Sequence, residues 1–107
     1  MKGLAEKTSD NIFAGFGIEN PEEWKCKAKL ASEIITIISE NGWTQKEAAT
    51  LLGISQVEVS NIKRGHFKRF TIDRLMGYLG KLHVNIQIIL TPCEEEHDAQ
   101  MNVYASV

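Results

Sequence analysis

Apolar residues recur at three- and four-residue spacing from Trp24 to Ile38, at Trp24, Ala28, Ala31, Ile35 and Ile38. That spacing predicts an amphipathic helix with these side chains on its buried stripe. Ile34 and Ile37 widen the stripe, either as core or as part of a subunit contact. Asn20 suits the N-cap, Pro21 the first helical position, and Glu22 and Glu23 the positive end of the dipole. The helix should run to about Glu40 and end at Asn41-Gly42. Three shorter helices should follow. Thr44 with Glu47, and Ser55 with Glu58, read as capping boxes opening helices that end at Gly53 and Gly65. Thr71 caps another that ends near Gly80, with Ile72, Leu75, Met76 and Leu79 on its buried side. Trp43 should pack at the entry to the second helix. The period then drops to two: Val84, Ile86, Ile88 and Leu90 alternate with Asn85, Gln87 and Ile89, which predicts a strand over 84–90. Thr91-Pro92 stops it. Residues 1–20 read as an arm with a docked turn around Ile12–Phe16, residues 21–83 as the helical domain, and residues 91–107 as a flexible acidic tail. The expected fold class is all-α, with four to five helices and one C-terminal strand.

Composition narrows the functions such a chain can have. At 107 residues it fits one domain. Its net charge of −2 is unevenly spread. Residues 24–83 hold ten Lys and Arg against five acids, and the remainder holds two bases against nine acids. A basic middle between acidic ends admits a nucleic-acid partner. No run reaches membrane-span length, and the N-terminus lacks the apolar stretch of a signal peptide. Cys26 and Cys93 lie far apart and read as reduced thiols of a cytoplasmic protein. His66, His83 and His97 are widely separated, and no nucleophile–base pair or glycine-rich phosphate loop appears, so no enzymatic activity is expected. Cys93 and His97 have a Cys-x3-His spacing among Glu94, Glu95, Glu96 and Asp98. A lone cluster of this kind reads as acidic tail rather than as a metal site. No metal and no cofactor are expected.

The functional signal lies between Gln45 and Ile62. Two short helices that cross closely need a small residue on the first, and Ala49 supplies it. The turn needs a residue that tolerates positive φ, and Gly53 follows four positions later. Ala48, Leu52, Ile54, Val59 and Ile62 are the anchors that should face the core. A plain helical hairpin would need fewer of these constraints. Subtracting the anchors leaves Gln56, Val57, Ser60, Asn61 and Arg64 on one outward face of the second helix. Gln and Asn can bond adenine in bidentate fashion, Val57 can touch a thymine methyl, and Arg64 can reach guanine or a phosphate. Gln45, at the first helix's N-terminus, and Lys46, Lys63, Lys68 and Arg69 should contact phosphates.

This arrangement resembles the helix-turn-helix of the phage-repressor and Xre-like families, and so implies a lambda-repressor-like bundle. Asn11-Ile12-Phe13 through Phe16-Gly17, Lys27-Ala28-Lys29-Leu30, Phe70–Leu75 and Val84–Ile88 extend the likeness toward the HigA-like antitoxin group over roughly residues 9–90. That resemblance implies a transcriptional repressor that binds a RelE-type toxin and represses a shared operon. The strand adds a dimer on physical grounds. An apolar strand without a partner exposes its edge, and pairing with a second copy would bury Val84, Ile86 and Ile88. Two motifs one helical turn apart would then read palindromic duplex DNA. A phage-type repressor with no toxin, or a protein-interaction module with secondary DNA binding, are the rival readings.

Overall fold

The computed structural model describes residues 20–93 and 99–105. The expectations placed on the arm before Asn20 and on residues 94–98 lie outside the described residues. Four helices form among those described: α1 (Pro21–Glu40), α2 (Gln45–Leu52), α3 (Gln56–Lys63) and α4 (Ile72–Lys81). Each begins where its cap predicts. Asn20 Oδ1 accepts from the Glu22 and Glu23 amides at 2.8 and 3.3 Å. Thr44 and Ser55 close complete capping boxes, and Thr71 accepts from the Arg74 amide. These caps satisfy amides that a helix start otherwise leaves unpaired.

α1 packs chiefly on α4, and α2 on α3, with α3 also against α1. Ile34, Leu52, Leu75 and Val59 are fully buried at the centre, one from each helix. Leu30, Ala31, Ile38, Ala48, Ala49, Ile62, Phe67, Phe70, Tyr78 and Leu79 surround them. Ile37, Trp43, Ile54, Ile72 and Met76 pack at the edge of this core.

The stripe on α1 differs from its sequence pattern. Trp24 is 50% exposed, and Ala28 and Ile35 are only half-buried. The buried line instead runs through Lys27, Leu30, Ala31, Ile34 and Ile38. Ala31 and Ile38 lie on both lines, so at about 100° of rotation per residue the stripe turns by less than one position. The reason is Lys27, a buried cation at the centre of the face, which a hydrophobicity pattern assigns to solvent.

The C-terminus of α4 closes with His83 at φ 66°. The His83 amide donates to the Gly80 carbonyl and the Val84 amide to the Leu79 carbonyl, each at 3.0 Å, which is the left-handed double cap of a helix end. Val84 is thereby brought against the core. Beyond it the chain differs from the sequence expectation: among the described residues no strand forms, and 84–90 is in no ladder. Ile86, Ile88, Ile89 and Leu90 are exposed. A lone strand has no hydrogen-bond partner within one chain. Further on, Met101 donates its amide to Glu22 (2.8 Å), and Asn102 accepts from Lys25 (3.2 Å). Val103 packs at the core edge, so this part of the tail lies along the first turns of α1.

Candidate nucleic-acid interface

The turn between α2 and α3 is fixed from three directions. Gly53 sits at φ 72° and ψ 34°, a left-handed conformation that costs a side-chain-bearing residue about 1–2 kcal/mol. The Gly53 and Ile54 amides both donate to the Ala49 carbonyl, at 2.8 and 3.0 Å. Ala49 is buried at the crossing. Lys81, from α4, donates to the Leu52 carbonyl at 3.0 Å. A cation there satisfies one of the open carbonyls at the negative end of α2.

The start of α3 is equally constrained. The Glu58 amide donates to Ser55 Oγ (3.1 Å) and the Ser55 amide to Glu58 Oε1 (2.9 Å). The Ser55 N–H, more than any other group, holds the Glu58 carboxyl below its ordinary value of 4.5. The second Glu58 oxygen meets Arg74 at 3.3 Å. Arg74 lies over the rings of Phe70 and Tyr78, at 4.9 and 5.7 Å, and donates to the Tyr78 hydroxyl. An α4 cation thus braces the cap of α3.

With Val59 and Ile62 turned inward, α3 presents the expected face outward. Gln56, Val57 and Arg64 are exposed, and Val57 is 69% so. Ser60 and Asn61 are half-buried one turn later. Arg64 forms the C-cap, and the His66 amide folds back to the Asn61 carbonyl at 2.7 Å. An α-helix with its side chains is about 10–12 Å across, which the B-DNA major groove, about 12 Å wide, admits. Gln45 Nε2 donates to the Gln56 carbonyl at 3.0 Å, joining the N-termini of the two helices.

Lys46, Lys63, Lys68 and Arg69 are all exposed. Lys68 and Arg69 occupy the loop between α3 and α4, flanked by Phe67 and Phe70, which are both buried. Val84, Ile86 and Ile88 belong instead to the segment after α4. Among the described residues no group of three or more His, Cys, Asp or Glu could hold a metal. The Cys93–His97 spacing falls partly outside them.

Three positioning side chains escaped the sequence reading: Lys27, Arg74 and Lys81. Lys27 and Lys81 act on backbone carbonyls 41 and 29 positions away, which no local pattern encodes. Arg74 left a signal. A cation in the first turn of a helix opposes the dipole, and so implies a compensating partner.

Comparison with known proteins agrees with this geometry. The chain matches the helix-turn-helix domain family over residues 12–90. A solved structure named as an XRE-family transcriptional regulator is similar to it, with a TM-score of 0.73 and 29% identity. The match covers 79% of this chain and 97% of that one. No curated protein matches the chain.

Proposed function

Because the chain belongs to the helix-turn-helix domain family, we propose that it is a DNA-binding transcriptional regulator that represses by reading an operator with α3. The observation that carries this is the two-sided character of α3. Val59 and Ile62 are locked into the core, while Gln56, Val57 and Arg64 stand clear of it. In this reading Gln56 and Asn61 hydrogen-bond base edges, Val57 touches a thymine methyl, Ser60 supports them, and Arg64 reaches guanine or phosphate. Gln45, Lys46, Lys63, Lys68 and Arg69 grip the backbone on either side and set the register. No helix of the described residues is long and apolar enough to cross a membrane.

The regulator acts as a homodimer on a palindrome. Ile86 and Ile88, exposed in a single chain, pair with their copies through residues 84–90. The antitoxin role, in which the chain also binds a RelE-type toxin and represses a shared operon, is supported by the HigA-like resemblance in its sequence. Co-purification with the product of a neighbouring gene tests that role.

The experiment for the function is footprinting on DNA upstream of the protein's own gene, across a salt series. The reading expects a protected palindrome with half-sites about one helical turn apart, and affinity that falls steeply with salt. A folded protein that protects nothing would return the weight to a protein-interaction module.

A further inference from the structure

Lysine is almost never fully buried unless it is paired. Lys27 is 4% exposed, and it sits at the centre of the inward face of α1. Its ammonium lies 3.6 Å from Glu23, one turn earlier on the same helix. It also donates a 3.2 Å hydrogen bond to the backbone carbonyl of Lys68. Lys68 and Arg69 are the middle of the loop Phe67-Lys68-Arg69-Phe70, whose aromatic ends are both anchored. Phe67 packs 5.7 Å from Trp24, and Phe70 meets Tyr78 edge-on at 6.3 Å. The Phe70 amide closes the loop onto the Phe67 carbonyl at 3.1 Å. Two exposed cations are therefore carried on a short arch whose ends are pinned by rings and whose carbonyl is held from below by a third cation.

We propose that Lys27 is a positioning residue for DNA binding, holding the Lys68–Arg69 arch in the pose that meets the phosphate backbone without touching DNA itself. The proposal rests on the phosphate role assigned above to Lys68 and Arg69. Held side chains lose less freedom on contacting phosphate, so the tether acts by pre-organisation. The bond to a backbone carbonyl fixes where the arch stands, and leaves both loop side chains to the ligand. The Glu23 carboxylate offsets the buried charge at the rim.

The test is Lys27→Met, which keeps the length and volume of the side chain and removes the donor. DNA affinity should fall about tenfold, and the salt slope should shrink by about one to two units as the arch's phosphate contacts are lost. In a Lys68→Ala/Arg69→Ala background the same change should cost less than about twofold. A full loss in that background, or an unchanged slope and affinity in the native one, overturns the proposal. Amide exchange on the DNA-free protein supplies a second readout. The Phe70 amide should exchange faster in Lys27→Met while those of Val59 and Ile62 keep their protection. Uniform acceleration would show a general packing role and contradict the proposal, as would an unaltered Phe70 amide. If the wild-type protein binds no DNA, the functional reading fails, and the exchange experiment still decides whether Lys27 holds the arch.

Discussion

The Gln45 side chain donates from Nε2 to the backbone carbonyl of Gln56 at 3.0 Å, so that the first residues of α2 and α3 are linked. The two helix N-termini are held together at the edge of the face assigned to DNA. Gln45→Ala should therefore change stability by less than about 1 kcal/mol, since the bond is exposed to water. Operator affinity should fall about tenfold, as a phosphate contact and the alignment of α3 go together. Chemical denaturation alongside a binding titration separates the two effects.

Gly53→Ala should destabilise by about 1–2 kcal/mol through the left-handed backbone alone. An added Cβ would also come within 3.1 Å of Lys81 Nζ, which would have to give slightly where it meets the Leu52 carbonyl. The denaturation midpoint should drop at constant slope. A midpoint equal to wild type would mean that the turn does not constrain the motif.

The framework of the fold was legible in the sequence because its signals are local. A capping side chain and the amide that donates to it lie two or three residues apart, so Asn20, Thr44, Ser55 and Thr71 each mark a helix start. Ala49 and Gly53 likewise lie within one turn of each other. What was not legible depends on contacts between distant segments. On α1, Ala31 and Ile38 are buried as the spacing predicts, but the face turns away from Trp24, Ala28 and Ile35. The pattern misses Lys27, which is polar in composition and interior in position, its charge met by Glu23 and a loop carbonyl. Trp24 looked like core and is half exposed, since it lies at the end of the helix beside Phe67. The outward residues of α3 were found by subtracting its anchors. The braces from Arg74 and Lys81 come from α4, and a reading of the motif alone does not reach them.

Acid should weaken the start of α3. The Glu58 carboxyl is held below its ordinary value of 4.5, first by the Ser55 amide and further by Arg74. A lowered folded value means that its contribution is complete above the ordinary value, and is lost as pH falls through the lower one. Glu58→Gln should flatten the part of the stability profile below about pH 4.5 and leave the neutral region less stable than wild type. Urea denaturation at a series of pH values measures this. A wild-type profile and a variant profile that stay parallel below neutrality would rule out the linkage.

Residues 84–90 should set the oligomeric state. Ile88 is 71% exposed and Ile86 40% in a single chain. Sedimentation at micromolar concentration should find the full chain dimeric and Ile86→Asp/Ile88→Asp monomeric, with the helical content unchanged. A truncation ending at Lys81 that stays dimeric would defeat strand pairing.

The central claim is that the exposed face of α3 reads base sequence. The most direct measurement is a binding titration of wild type and Gln56→Ala/Asn61→Ala on the duplex that the wild type selects from a random library. The account predicts a palindromic selected site. It also predicts a loss of about a hundredfold or more in specific affinity for the double variant, with salt-dependent non-specific binding and the fold retained. Equal affinity of the two proteins for the selected site, or selection of no preferred sequence by the wild type, would contradict it.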